Sequence, residues 1–195
     1  MKLIYKYQKS NITMKKLIIT MMFSLMPAIF FAQAGAFDKF DGQDDVTSVI
    51  VNKKMFQMMG NVKNKESQQY LNLIKKLDNL RVFTTQSSRV TAEMKGAADK
   101  YIKIAGLEEL MRVNDKSQNI KIMVKSGSSE TQVKELLMFI EGSGKGNETV
   151  LMSLTGDFDL NEISLLTDKM HLPGGDDLKR MGKGPKAPAG PKSSK

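Results

Sequence analysis

Residues 119–125 read NIKIMVK, and the period of this stretch decides the fold class. Ile120, Ile122 and Val124 alternate with Lys121, Met123 and Lys125. Successive side chains of a strand point to opposite faces, so the stretch predicts a strand with one apolar face. A helix would instead repeat its apolar positions about every 3.6 residues.

The same period continues on both sides. LEELMRV (107–113) is expected to pair with this strand through the turn formers of NDKSQN (114–119). Downstream, VKELLMFIEGSGKGNETVLMSLTG (133–156) reads as two strands around the loop GSGKGN (142–147), with Val150, Met152 and Leu154 in alternation. The chain then closes with a helix. Asp159 stands three residues before Glu162 in a capping-box spacing, and Leu160, Ile163, Leu166 and Met170 form the apolar face.

The first half switches between the two periods. VTSVIV (46–51) is β-branched and predicts a short strand buried on both faces, and KKMFQMMG (53–60) predicts a helical turn or two ending at Gly60. ESQQYLNLIKKLDNL (66–80) places Tyr70, Leu71, Ile74 and Leu77 on one helical stripe, followed by a strand LRVFTT (80–85). A further helix is expected over 91–105, with Met94, Ala98, Tyr101, Ile102 and Ala105 as its stripe. The order βα(α)βαββββα predicts an α+β domain: a largely antiparallel sheet with helices packed on one face.

The ends of the chain differ from this body. MKKLIITMMFSLMPAIFFAQAGAF starts at Met14 with Lys15 and Lys16, runs apolar from Leu17 to Phe31, and closes on Ala32-Gln33-Ala34. That is the pattern of a cleaved secretory signal, shorter than the roughly 20 apolar residues of a spanning helix and broken by Pro27. Residues 1–34 are therefore expected to be a signal peptide, with Met14 as an alternative start. The mature protein is expected in the periplasm or outside the cell, with no transmembrane segment left after signal removal. There is no cysteine, so neither disulfides nor lipid attachment through cysteine is open to the chain. Residues 178–195, rich in Gly, Pro, Lys and Ser, are expected to be a basic disordered tail.

The formal charge of +9 changes meaning once the ends are separated. Residues 1–34 and 178–195 hold five and six basic residues and no acid, leaving 19 basic and 21 acidic residues over 35–177. The single domain expected over 35–177 is thus almost neutral, and no nucleic-acid partner is expected for it. The tail alone has the charge to contact anionic surfaces, weakly and in a salt-dependent way.

Three segments together carry a family resemblance: FDKFDGQDDVTSVIVNKKMFQMM (37–59), YIKIAGLEELMRVNDKSQNIKIMVKSG (101–127) and KELLMFIEGSGKGNETVLMSLTGDFDLNEISLL (134–166). They resemble a Gram-negative bacterial family of exported proteins and lipoproteins known as domain of unknown function 4252. The resemblance implies an exported single domain and brings no catalytic motif. Members with a lipidated cysteine at the signal junction differ from this chain, which has Ala-Gln-Ala-Gly there.

Reactive chemistry finds few parts. Asp157, Asp159, Asn161 and Asp168 fall at positions 1, 3, 5 and 12 of a calcium loop, but position 6 is Glu162 where the loop needs glycine. A capped helix start accounts for the same acids. GSGKGN lacks the order of a phosphate-binding loop and reads as a hairpin connection. His171 is the only histidine and sits in a linker context, and Glu108 and Glu109 point to opposite faces of a strand. No catalytic residue and no cofactor is expected. Methionine is the one excess: nine lie within 35–177. Met55, Met58 and Met59 share a helical face that suits core packing, an adaptable contact surface, or soft ligation of Cu(I) as a weak metal candidate. The favoured expectation is a noncatalytic exported domain that binds an envelope protein or a ligand. The alternatives are an envelope enzyme, a carboxylate-based hydrolase, and methionine-based copper handling.

Overall fold

The computed structural model describes residues 35–61, 68–114, 118–143 and 147–171, without the side chains of 143, 167 and 168. Compactness divides the chain into Met1–Lys39 and Phe40–Lys195. Of the first unit only 35–39 are described; there the Asp38 amide donates to the Gly35 carbonyl at 3.2 Å. The expected signal peptide and basic tail lie outside the described residues.

The second unit is built on one antiparallel sheet. Its strands are β1 (Thr47–Asn52), β2 (Leu77–Thr85), β3 (Glu108–Asn114), β4 (Asn119–Ser126), β5 (Gln132–Ser143) and β6 (Glu148–Asp159), in the spatial order β1-β2-β6-β5-β4-β3. Helices α1 (Lys53–Gly60) and α2 (Gln68–Lys76) lie between β1 and β2, α3 (Ser88–Ala105) follows β2, and α4 (Ile163–Met170) follows β6. This is the α+β class and element order that the periods predict.

The central strand of the sequence argument behaves as its pattern requires. Ile120 and Ile122 are buried within the main core cluster together with Val124, while Lys121 and Lys125 are half-buried. Asn114 pairs with Asn119 to close the β3–β4 hairpin, and Ser143 pairs with Glu148 to close β5–β6. The flanks of the second loop use positive φ at Gly142 (86°) and Asn147 (52°), residues that adopt it at little cost.

On one face Leu80, Val82, Leu136, Met138, Ile140, Val150, Met152 and Leu154 join the isoleucines of β4. Phe56 of α1, Leu73 and Ile74 of α2, and Ile163 and Leu166 of α4 cover them. Burying each such side chain is worth about 1.5–3 kcal/mol, so this layer is the chief source of stability. The expectation of helices on one face holds for α1, α2 and α4. α3 covers the opposite face, through Val90, Met94, Ala98, Tyr101 and Ala105. The reason lies in β5 and β6, where Leu136 to Ile140 and Val150 to Met152 are buried at consecutive positions. Strands that are apolar on both faces need cover on both.

A helix boundary and the burial of one strand differ from the sequence reading. The helix expected over 66–80 ends at Lys76, and Leu77 opens β2 opposite Gly156 of β6. Gly156 has φ 156°, and a Cβ there would lie 2.5 Å from the Lys76 carbonyl oxygen, so the close helix-to-strand crossing requires glycine. β1, expected to be buried on both faces, is an edge strand. Only Val51 is buried, and Val49 and Ile50 are 43% and 44% exposed.

Candidate functional site

The chemistry-bearing residues fall into four places. The first is the edge formed by β1 and α1. Asn52 ends β1 and caps α1, its side-chain oxygen accepting from the Met55 amide at 3.0 Å. The cap orients α1 so that Phe56 enters the core. Met55 and Met58 are then left 50% and 59% exposed, and Met59 is packed partly against the core. The core-packing reading therefore holds in part for Met59 and fails for Met55 and Met58. On the edge strand beside them, TSVIVN, Val49 is exposed on the face that α1 covers and Ile50 on the opposite face, and the strand has no charged residue and no proline. Among the described residues no strand lies beyond β1.

The opposite edge is built differently. β3 carries Glu108, Glu109 and Arg112, and a bulge between Glu109 and Met111 inserts Leu110. The bulge brings Glu109 and Arg112 onto one face, opposite Met123 and Lys121 respectively. The guanidinium donates there through both Nε, at 3.1 Å to each carboxylate oxygen, and Nη2. That hydrogen bonding holds the Glu109 carboxyl below its ordinary range. Glu108 instead accepts from Ser126 Oγ at 3.2 Å. The two glutamates have separate partners, as the alternation predicts. Charge and a bulge are the usual protections of an exposed edge, and β1 has neither.

Between α3 and the β3–β4–β5 side of the sheet lies a cleft of about 210 Å³, lined by Lys95, Asp99, Arg112, Lys121, Phe139 and Glu141 among others. Its acids are both engaged: Lys95 Nζ to Glu141 Oε2 and Lys121 Nζ to Asp99 Oδ1, each at 2.8 Å. Residue spacing did not reveal this cleft, because its groups come from four elements. Each lining carboxylate has a lysine across from it and neither is presented free to a substrate.

Beneath α3 a carboxyl is buried. Glu135 of β5 is 4% exposed and accepts from the Tyr101 hydroxyl at 2.7 Å. Burial raises the Glu135 carboxyl above its ordinary value, opposed by the tyrosine bond and by Lys125. Burial first, then that same carboxylate, pushes the Tyr101 hydroxyl far above the ordinary phenol range. The pair is closed from solvent and serves packing.

The suspected calcium loop is a cap. Asp159 Oδ1 accepts from the Asn161 amide at 2.8 Å and Oδ2 from Thr131 Oγ1 at 2.7 Å, so the backbone bond first and the threonine next hold its carboxyl below the usual range. The capped element is a 3-10 turn, Leu160–Glu162, that leads into α4. Glu162 accepts from Lys76 Nζ at 3.2 Å. The Asp168 side chain lies outside the described set. His171 is exposed with φ 50° just past α4. Among the described residues no three His, Asp or Glu groups are placed to hold a metal ion. No described helix is long and apolar enough to cross a membrane.

No curated protein and no solved structure matches the chain. The family described as domain of unknown function DUF4252 matches residues 40–166, which run from Phe40, packed against Phe83 at 5.9 Å between ring centroids, to Leu166, a buried anchor of α4. The match covers every strand, the first three helices and the start of α4, and the chain belongs to that family.

Proposed function

We propose that this protein is an exported, noncatalytic binding domain whose interface is the β1–α1 edge. The observation that carries the reading is an edge strand without charge, proline or bulge that exposes Val49 and Ile50 on its two faces, next to the exposed Met55 and Met58 of α1. An unprotected edge offers backbone groups for pairing, and flexible thioethers adapt to a partner's surface. Export rests on the signal pattern of residues 1–34 and places the working domain in the periplasm or outside the cell. The basic tail adds a weak, salt-sensitive attraction to anionic surfaces. The hydrolase alternative has only the cleft acids Asp99 and Glu141, each held by a lysine. Copper handling has three thioethers of which one turns to the core.

Capture from envelope extracts tests the reading, with Met55→Glu/Met58→Glu set against a control at the exposed Leu110→Glu of β3. Loss of captured partners only in the first variant supports the interface. Equal capture by both variants rules out the β1–α1 edge.

A further inference from the structure

We infer that the β1 edge pairs with the β1 edge of a second copy of this chain, antiparallel about a twofold axis, so that two six-stranded sheets become one. This inference rests on the binding reading above and names the partner.

Symmetry restricts the register. Two identical edges can pair antiparallel only about an axis perpendicular to the sheet, which keeps the two corresponding faces on the same side. A residue must therefore oppose one that points to its own face, so partners are separated by an even number of positions. Placing Val49 on the axis satisfies this, with Ser48 opposite Ile50 and Thr47 opposite Val51 of the second copy. The strand has six residues, so this register engages most of its length.

Charge at the strand ends selects the antiparallel direction. Asp44 and Asp45 precede β1, and Lys53 and Lys54 follow it. Antiparallel pairing sets the end of β1 that follows Asp44 and Asp45 beside the end of the second copy's β1 that leads into Lys53 and Lys54 of α1, and symmetry repeats the juxtaposition. All four residues are exposed. Among the described residues Asp45 pairs with Arg89 at 3.6 Å and Lys53 with Asp78 at 2.7 Å, both in water-facing positions. A parallel arrangement would set acid beside acid and base beside base. The helices reinforce the choice: α1 follows β1 directly and packs on one face, so the two copies of α1, with exposed Met55 and Met58, lie on the same side of the joined sheet.

The test is the mass of the protein in solution, expressed as the full chain and purified as the cell processes it. Sedimentation equilibrium from low to high micromolar concentration should give a reversible dimer. Ile50→Lys should give a monomer with an unchanged melting curve, because Ile50 is exposed on the face away from α1. The paired variants Asp44→Lys/Asp45→Lys and Lys53→Glu/Lys54→Glu should each weaken the dimer about tenfold, and mixing the two should restore association between unlike chains. In this cysteine-free chain Val49→Cys should oxidise to a covalent dimer, whereas Ile50→Cys, facing Ser48, should not. A monomer at every concentration overturns the inference, as does a dimer indifferent to Ile50→Lys and to the charge exchange. A monomeric chain that still captures an envelope protein through Met55 and Met58 overturns the self-pairing and leaves the binding reading standing.

Discussion

The two faces of the sheet reach burial by different chemistry. Beneath α1, α2 and α4 the strand positions are aliphatic, from Leu80 and Val82 through Met138 and Ile140 to Met152 and Leu154. Beneath α3 the buried set also includes Thr85, Glu135, Thr149 and Ser153. Thr149 shares a 2.8 Å hydrogen bond with Thr91, and Thr85 Oγ1 donates to the Asp45 carbonyl at 2.7 Å. An apolar face tolerates many packings of similar volume, whereas a buried hydrogen bond fixes one orientation. The aliphatic face therefore supplies stability, and the face under α3 fixes how that long helix lies.

Substitutions separate the two contributions. The largest effect is expected at Phe56→Ala, which empties a fully buried position on the aliphatic face and should destabilise by about 3–5 kcal/mol in denaturant unfolding. A loss below about 1 kcal/mol would mean that α1 is not part of the main core. Next comes Tyr101→Phe, which deprives buried Glu135 of its donor and should cost about 1–3 kcal/mol at neutral pH. The cost should shrink in acid, where a protonated Glu135 no longer needs the donor to hold a charge.

Glu135→Gln carries a sign that sharpens the comparison further. Burial raises this carboxyl above its ordinary 4.5, so the folded state holds its proton more tightly than the unfolded state does. The native protein is therefore favoured at this site below pH 4.5 and loses that advantage as pH rises through the folded value. Melts across that window should show the variant matching the parent in acid and exceeding it in stability above that window. A variant less stable than the parent at neutral pH would show that the ionised carboxylate contributes to packing the helix. The smallest effect is expected at Met58→Ala, 59% exposed outside both faces, with a change within about 0.5 kcal/mol.

Legibility followed the same division. Ile120, Ile122 and Val124 face the aliphatic layer, and their alternation with lysines marked β4 plainly. Glu135 carries no such mark, since an acid between Lys134 and Leu136 reads as a solvent position until α3 is laid over it. The stripe of α3 was visible at Met94, Ala98, Tyr101 and Ala105, yet nothing in its spacing says which face of a sheet it will cover. At the candidate interface, Met55 and Met58 were noticed for their sulfur. Their exposure depends on Asn52 capping α1 so that Phe56 turns inward. VTSVIV is β-branched enough for a buried strand, and only the strand order makes it an edge.

By itself the sequence determined the α+β class, the order of strands and helices, the β3–β4 and β5–β6 hairpins, and the cap at Asp159. Each follows from local period or turn chemistry, which acts between residues close along the chain. Tertiary structure alone decided that α3 crosses the second face, that Leu77 leaves its helix to meet Gly156, and that Glu135 is buried against Tyr101. It also decided that β1 lies at an open edge with Val49 and Ile50 exposed. These depend on pairings between residues tens of positions apart, and a periodic pattern carries no information about which distant strand or helix will supply the other side.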